Sequence, residues 1–233
     1  MDDDRSRLRS VPRVHDMTAV SRSLALMLAS CTTCRSWAEQ DEGPYHRDAQ
    51  PLRRDIVEDR RGTPLQLGIR LTIGGGTAVS DATVEVWQCD ALGRYSGFPP
   101  PDDSTVVTAD TAPRGEYHAD QTFLRGRQTT DSAGMVEFHT IYPGWYPGRT
   151  VHIHLMVHHE ATTLTSQLYF PDDINDHVLS QAPYAERPGC DTTNATDDIF
   201  STGGDPAVVD LAADGDGYQA AICLVLPAVD EAP

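Results

Sequence analysis

Six short runs of β-forming residues recur between clusters of turn-forming residues from position 62 onward. Stretches such as FPPPDD (98–103), YPGWYPG (142–148) and DGDG (214–217) separate the runs, and Gly, Pro and Asp favour turns because of the backbone angles they adopt. Short strands with few long helical patterns are typical of all-β folds. The sequence therefore predicts an all-β fold, a two-sheet β-sandwich with long loops. The six runs are LQLGIRLTI (65–73), ATVEVWQ (82–88), VEFHTI (136–141), TVHIHLMV (150–157), TLTSQLYF (163–170) and YQAAICLVL (218–226).

One short helix and an N-terminal arm are predicted outside these strands. The segment DDINDHVLSQ (172–181) begins with two carboxylates and has apolar residues at helical spacing, which indicates a short amphipathic helix that connects strands. Residues 34–61 are polar and rich in arginine without a hydrophobic period, so we expect an arm that crosses the surface of the domain. Residues 62–233 then form the β-sandwich domain.

Residues 1–33 are predicted to be a leader. The stretch SLALMLASC (23–31) follows an arginine-bearing segment and ends in small residues before a cysteine, as the signal of a bacterial lipoprotein does. On this interpretation Cys31 carries a lipid anchor, and the protein is exported or attached to the cell envelope. An even number of cysteines then remains, which is compatible with two disulfides in an oxidising compartment: Cys34, Cys89, Cys190 and Cys223. The alternative is a frayed N-terminus with reduced, buried cysteines.

The charge of the chain excludes several classes of function. The formal net charge is −17, and residues 62–233 carry 7 arginines against 24 aspartates and glutamates. Such a surface repels nucleic acids and anionic lipids, so neither is an expected partner. The chain contains no lysine, which excludes Schiff-base chemistry and the lysine of phosphate-binding loops. No apolar run approaches the length that spans a bilayer, so no transmembrane segment is expected.

Two histidines in the run VHIHL (151–155) could bind a metal ion. Residues two apart on a strand point to the same side, so His152 and His154 share one face while Ile153 faces the other. Two neutral imidazoles at this spacing can hold one metal ion. For an isolated pair, a polar sheet face is the simpler interpretation, especially because His158 and His159 show that histidines are abundant nearby.

Tyrosines near this pair favour a metal site over a polar sheet face. PGWYPGR (143–149) directly precedes the histidine strand, and another tyrosine occurs in QCDALGRYSGF (88–98), which follows a predicted strand. A phenolate is a hard, anionic oxygen donor once a strongly charged cation lowers its pKa from about 10. Two tyrosines and two histidines therefore suit Fe(III) better than zinc.

Five segments carry a resemblance to a known family, which spans about residues 40 to 226. The combination of GRY with YPGR and HIH is much more specific than any of its parts. On these residues the chain resembles the intradiol ring-cleavage dioxygenases, especially their short, often exported bacterial branch. The segments are EGPYHRD (42–48), VEVWQCDALGRYSGF (84–98), FLRGRQTTDSAGMVEFHTIYPGWYPGRTVHIHLMV (123–157), TSQLYFPDD (165–173) and DTTNATDDIF (191–200).

The resemblance implies a set of site residues. One Fe(III) per chain would be held by two tyrosinates and two histidines, and the matching positions are Tyr95, Tyr146, His152 and His154. Tyr142 competes with Tyr146, because the loop before the histidines is shorter here than in the large protocatechuate enzymes. By the same match Arg149 would stabilise negative charge on the substrate, Gln167 would orient it, and Tyr146 would also take up a substrate proton.

The activity implied is insertion of O2 between the two hydroxyl-bearing carbons of a catechol, which gives a muconate-type diacid. Residues 62–233 would then be the catalytic domain, with a small aromatic diol and O2 as partners. Two alternatives stay open. One is a non-catalytic secreted β-sandwich that binds aromatics or sugars through exposed tryptophan and tyrosine. The other is a zinc hydrolase that uses the histidine pair with Glu160 or Asp172. Trp87, Trp145 and Tyr142 fit either a packed interior or a pocket wall. Tyr45 in EGPYHRD (42–48) fits either a pocket wall, as the resemblance implies, or packing of the arm on the surface.

Overall fold

A computed structural model describes residues 20–30, 34–36, 38–48, 50–100 and 120–227. The candidate lipid-anchor residue Cys31 and residues 1–19 of the predicted leader lie outside the described residues. The described elements in chain order are α1 (Arg22–Ser30), β1 (Arg35–Ser36), β2 (Pro64–Ile73), β3 (Thr77–Ala78), β4 (Thr83–Trp87), β5 (Arg125–Thr129), β6 (Met135–Ile141), β7 (His152–His159), β8 (Thr162–Tyr169), α2 (Asp172–Leu179), β9 (Asp210–Asp214) and β10 (Gly217–Val225).

The strands form two sheets, as the sequence predicts. In sheet A, β10 lies between β1 and β2 and is parallel to both, while β3 and β6 pair with β2 and β9 pairs with β10, all antiparallel. Sheet B has the order β5-β4-β7-β8 and is antiparallel throughout. All six predicted strands are confirmed with small shifts at their ends, and the predicted helix after Pro171 is α2.

The core lies between the two sheets and is built by alternation along the strands. Leu67 and Ile69 of β2 and Ile153 and Leu155 of β7 are completely buried in one apolar cluster. Burying one such side chain contributes about 1.5–3 kcal/mol, and these residues dominate the stability of the sandwich. Because the inward positions of β7 are apolar, its histidines lie on the opposite face of sheet B.

Four described strands were not predicted: the two-residue strands β1 and β3, and the five-residue strands β5 and β9. β5 has the sequence RGRQT, and β9 has the sequence DLAAD. Arg125 of β5 is buried, and its Nε donates to Ser96 Oγ at 2.7 Å, so polar bonds stabilise this strand. The side chains of β9 are largely exposed at the edge of sheet A. Neither strand has the apolar alternation that identifies a strand in a sequence.

Residues 22–30 of the predicted leader form helix α1, which packs on the outer face of sheet A. Leu24 and Leu28 are completely buried there. A Cβ at Gly68 of β2 would lie 3.1 Å from Leu24 Cδ2 and 3.2 Å from Leu28 Cδ1, so a glycine permits this close approach. No helix among the described residues is long and apolar enough to cross a bilayer.

A disulfide ties the start of the arm to the centre of sheet A. Cys34 is bonded to Cys223 of β10 across 189 positions of sequence. Cys89 and Cys190 are free thiols, the first buried and the second exposed. The described cysteines thus form one disulfide rather than the two that an even count permits.

Candidate metal centre

The two histidines of β7 meet on the outer face of sheet B. His152 Nε2 lies 3.1 Å from His154 Nε2, and both rings are buried. His154 is directly opposite Trp87 of β4 on one side and Gln167 of β8 on the other. The predicted alternation is therefore confirmed, and it aligns three polar or aromatic side chains in one row across the sheet.

The ring of His152 is held in one tautomer. Its Nδ1 lies 2.7 Å from the carbonyl oxygen of Thr150, and a carbonyl only accepts, so Nδ1 carries the proton and Nε2 carries a lone pair. Burial, reinforced by the nearby Arg149 guanidinium, lowers the pKa of His152 to about 3. The pKa of His154 is also far below its usual range, first because of burial and then because of His152. Both rings are therefore neutral near pH 7 and able to bind a cation.

Tyr146 brings a phenol to the same point. It lies in the turn that precedes β7, where the N–H of Arg149 donates to the carbonyl of Tyr146 at 3.2 Å. Its buried hydroxyl donates to His152 Nε2 at 3.2 Å. Burial raises the pKa of Tyr146 to about 12 although the Arg149 guanidinium opposes the shift, so the side chain is a neutral phenol near pH 7 when no metal ion is bound.

Tyr95 reaches the site from the turn that follows β4. The Asp90 carboxylate fixes this turn by accepting the backbone N–H of Leu92 at 2.9 Å and of Arg94 at 3.0 Å. Gly93 has φ of 78°, and a Cβ there would lie 2.2 Å from the carbonyl oxygen of Trp145, so the turn requires glycine. The Tyr95 ring lies 5.8 Å from that of Tyr146, measured between centroids.

The buried hydroxyl of Tyr95 has no hydrogen-bond partner in the described part of the chain. Burial and then the neighbouring Tyr146 raise its pKa well above its usual value. A buried hydroxyl without a partner costs about 1–3 kcal/mol. A ligand that bonds to the Tyr95 oxygen would remove that cost, so this atom also indicates that the centre binds a ligand.

The arrangement fits a metal ion. Metal bonds to imidazole are about 2.0–2.1 Å long, and two such ligands at a right angle lie about 3 Å apart, as the two Nε2 atoms do. Within the described ranges no three His, Cys, Asp or Glu side chains group as metal ligands, and the other candidate donors beside the two imidazoles are the phenols of Tyr146 and Tyr95. Two phenols and two neutral imidazoles suit a hard, strongly charged cation such as Fe(III).

The predicted arm covers this face of sheet B. Tyr45 is buried and stacks on Tyr95, with ring centroids 4.2 Å apart and planes 13° apart. Gly43 has φ of 72°, and a Cβ at this residue would lie 3.0 Å from Cε1 of His154. Trp87 stacks on the ring of His154, with ring centroids 4.9 Å apart. Of the interpretations open for Tyr45, the structure supports a wall of the site rather than surface packing.

Arg149 and Gln167 contact each other and lie beside the candidate ligands. Arg149 bonds to the backbone of Tyr146, and Gln167 is opposite His154. Arg149 Nη2 donates to Gln167 Oε1, and Gln167 Nε2 donates to the carbonyl oxygen of Asp41 in the arm at 2.8 Å. The Arg149 Nε donates to Asp197 Oδ2 at 2.8 Å. Burial alone would lower the pKa of Arg149, but Tyr146 and Asp197 together raise it, so the guanidinium stays charged.

Tyr142, the competing ligand candidate, points away from the histidines. Its hydroxyl donates to Asn175 Oδ1 of α2 at 2.8 Å, and its ring packs in the main core. Trp145 is also in that core. Glu160 lies in the turn between β7 and β8, and Asp172 at the start of α2 accepts the N–H of Asn194, so neither joins the metal cluster as the zinc alternative requires.

Sequence reasoning did not assign a role to Asp197. It is buried, and it contacts Arg149 from a position 48 residues further along the chain. The only signal in the sequence was its place in the DTTNATDDIF segment, which does not indicate which polar residue would be buried.

Known proteins resemble this chain over most of the sandwich. A family model described as "Dioxygenase" matches residues 41–190, which include much of the arm. The chain is 32% identical over 159 residues to the protocatechuate 3,4-dioxygenase beta chain of Burkholderia cepacia, and the match covers 60% of this chain and 62% of that protein. It is 31% identical over 155 residues to chlorocatechol 1,2-dioxygenase of Cupriavidus pinatubonensis, covering 55% and 52%. The chain thus spans about half to three fifths of the length of these curated relatives.

Solved structures extend the likeness to more than four fifths of the chain. An intradiol ring-cleavage dioxygenase from Tetranychus urticae superposes with a TM-score of 0.73 at 31% identity, covering 82% of this chain and 94% of that one. A 3-chlorocatechol 1,2-dioxygenase from Rhodococcus opacus superposes with a TM-score of 0.60 at 19% identity over 89% of this chain and 79% of that one, which shows a common fold alone. The family match covers well over half of the full 233-residue sequence. The chain therefore belongs to the intradiol ring-cleavage dioxygenase family.

Proposed function

We propose that this protein is a non-haem, Fe(III)-dependent intradiol dioxygenase that cleaves a catechol between its two hydroxyl-bearing carbons. The product is a muconate-type diacid that contains all the atoms of the catechol and of O2, so the reaction needs no external reductant. The observation that supports this most strongly is the convergence of the Tyr146 hydroxyl and both β7 imidazoles within 3.1–3.2 Å. Relatives named for protocatechuate and chlorocatechol support the same class of substrate.

Four residues would hold one Fe(III) per chain: Tyr95, Tyr146, His152 and His154. When bound, Fe(III) would accept the catecholate oxygens and withdraw electron density from the ring, which makes the ring carbons reactive toward O2. The protein contributes two anionic and two neutral donors, so the charge of the ion is largely balanced within a buried site. Trp87 and Tyr45 exclude water from two sides of this cluster by their stacking contacts.

Tyr146 would accept one substrate proton at its hydroxyl oxygen. Burial favours the neutral phenol over the phenolate at this position. A catechol that arrives at the site must lose its hydroxyl protons before both oxygens become good donors. Transfer of one proton to the Tyr146 oxygen would leave a neutral phenol, which is the form that the buried surroundings favour.

Arg149 and Gln167 would act on the substrate rather than on the ion. Arg149 is a fixed, buried cation that would stabilise the negative charge that develops on the ring. Its contact with Gln167 Oε1 holds both groups beside the metal cluster. Gln167 would orient the bound diol through a hydrogen bond, and the arm residue Asp41 fixes the amide for that role.

The test is oxygen consumption by protein produced with iron supplied. Catechol, hydroxyquinol and protocatechuate are offered separately, and product spectra distinguish cleavage between the hydroxyls from cleavage beside them. We expect one iron per chain and a red-brown colour from phenolate-to-iron charge transfer. Tyr95→Phe should lose much of the colour and the activity. Tyr218→Phe, a partly buried tyrosine in the core, is the matched control.

Two results would contradict the proposal. A colourless protein without iron that consumes no oxygen with any of the three diols would remove the enzymatic function. Zinc at one ion per chain in place of iron would instead favour hydrolytic chemistry at the same histidines.

A further inference from the structure

The carboxylate of Asp197 is a buried hydrogen-bond acceptor at the edge of the site. Its side chain is about 1% exposed and lies between two short helical turns, Asn194–Thr196 and Phe200–Thr202. Oδ1 accepts the backbone N–H groups of Ile199 and Phe200, both at 2.9 Å. Oδ2 accepts the Arg149 Nε and the backbone N–H of Thr150, both at 2.8 Å. Four donors therefore fix both oxygens of this group.

These contacts keep the carboxylate charged. Burial alone would raise the pKa of Asp197, but the Arg149 guanidinium and the backbone N–H groups of Phe200 and Thr150 together lower it. A buried ion pair with its remaining lone pairs satisfied is rigid, because breaking any one bond leaves a buried charge without compensation. Arg149 therefore has a fixed direction from its Nε edge, and its Nη2 continues to Gln167.

Asp197 is also linked through Thr150 to His152, a proposed metal ligand. The Thr150 N–H donates to Asp197, while the Thr150 carbonyl accepts the Nδ1 proton of His152 at 2.7 Å. The Thr150 hydroxyl donates to Asn194 Oδ1 at 2.8 Å, so the whole peptide is held in place. The carbonyl that selects the tautomer of His152 thus belongs to a residue that Asp197 anchors.

We propose that Asp197 is a positioning residue that fixes two parts of the site at once: the guanidinium of Arg149 toward the substrate, and the Thr150 carbonyl that orients His152 toward the ion. This inference rests on the proposed function for its catalytic consequence. Its structural content, the anchoring of Arg149 and of His152, does not depend on turnover. Asp197 touches neither the substrate nor the ion on this proposal.

The direct test is Asp197→Asn. The amide must present an N–H₂ group to one of the two pairs of donors, and it leaves the guanidinium without its counter-charge. We expect kcat to fall about 100-fold, as small misplacements of catalytic groups do, with iron content and colour retained and KM changed much less. Asp198→Asn is the matched control, because the neighbouring residue is exposed and its carboxylate makes none of these bonds. A kcat within twofold of that control overturns the proposal.

A double-variant cycle tests whether Asp197 acts through Arg149. If it does, the loss of kcat in the double variant Arg149→Gln with Asp197→Asn should be smaller than the product of the two single losses, because the part that acts through Arg149 is already lost and only the part that acts through Thr150 and His152 remains. The double variant also removes both buried charges together, so it should fold even where Asp197→Asn does not. Losses in kcat that multiply fully in the double variant would refute the positioning of Arg149 by Asp197.

A measurement on metal-free protein separates this inference from the proposed function. ¹⁵N spectra of the histidine rings report which nitrogen of His152 carries the proton. We expect the Nδ1-protonated form to be dominant in the wild type and in Asp198→Asn, and reduced in Asp197→Asn. An unchanged tautomer in Asp197→Asn would refute the anchoring of His152. A wild type that shows this tautomer but no turnover would refute the proposed function and leave the anchoring supported.

Discussion

Tyrosine-to-phenylalanine variants at positions 142 and 146 should separate stability from metal binding. The two tyrosines lie four residues apart in the same loop, and the sequence alone admits either as a ligand. In the structure, Tyr142 donates to Asn175 Oδ1 at 2.8 Å in the core, and Tyr146 donates to His152 Nε2 at 3.2 Å in the site. Phenylalanine removes only the hydroxyl, so each variant isolates one bond.

The expected loss of stability in each variant follows from the hydrogen-bond partner of the hydroxyl that is removed. Tyr142→Phe leaves a buried amide oxygen of Asn175 without its donor, since both residues are at most 5% exposed, and this costs about 1–3 kcal/mol. For a chain of this size each kcal/mol lowers Tm by roughly 2–4 °C, which gives a fall of about 2–12 °C. Tyr146→Phe removes one longer neutral bond, worth about 0.5–1.5 kcal/mol, but it removes a proposed anionic ligand of the ion.

Calorimetry on metal-free protein and iron analysis on loaded protein measure the two effects separately. We expect Tyr142→Phe to melt lower with its iron and colour intact. Tyr146→Phe should melt close to the wild type without metal, and it should lose colour and turnover when iron is supplied. The reasoning is wrong if Tyr142→Phe bleaches the protein and Tyr146→Phe does not, because the phenol near the histidines would then be the wrong ligand.

Two further predictions concern the arm and its attachment. Gly43→Ala should weaken iron retention, measured by elemental analysis after dialysis, because its Cβ would lie 3.0 Å from the ring of His154. Gly189→Ala, at φ of 92° in open space, carries only the backbone strain of about 1–2 kcal/mol and should keep its iron; equal iron loss in both variants would contradict the steric argument. Replacing Cys34 and Cys223 by alanine should lower the free energy of unfolding by up to about 5 kcal/mol, the chain-entropy value for a loop of 189 positions. An unchanged urea midpoint would show that the disulfide does not restrain the unfolded chain.

The strands that the sequence predicts are those stabilised by apolar alternation. β2 and β7 alternate buried aliphatic residues with residues on the other face, so their period is visible without coordinates. β5 is held instead by the buried guanidinium of Arg125, with bonds to Ser96, and such bonds have no periodic signature. In the stretch 23–30, Leu24 and Leu28 lie four residues apart on one helical face and are the buried residues of α1. The export signal stays a prediction.

The candidate site was predictable where it depends on local spacing. The shared face of His152 and His154 follows from the two-residue period of a strand, and the two tyrosine positions follow from the motif resemblance. A pocket-wall position for Tyr45 was one of two interpretations, whereas the contacts of Gly43 and Asp197 with the site could not be predicted in this way. Each joins segments separated by 48 residues or more, and only the packing of the arm and the loop after α2 brings them together.

The two faces of β7 have different roles, because apolar residues alternate with histidines along this strand. Ile153 and Leu155 are fully buried between the sheets and stabilise the sandwich, while His152 and His154 use the opposite face for the site. Because a sheet face would otherwise be open to water, the site needs a cover, and the arm supplies it through Tyr45 and its neighbours. A change to the arm can therefore alter access to the metal cluster without altering the core. On the proposed function, the covering segment would influence which diol enters while the sandwich keeps its fold.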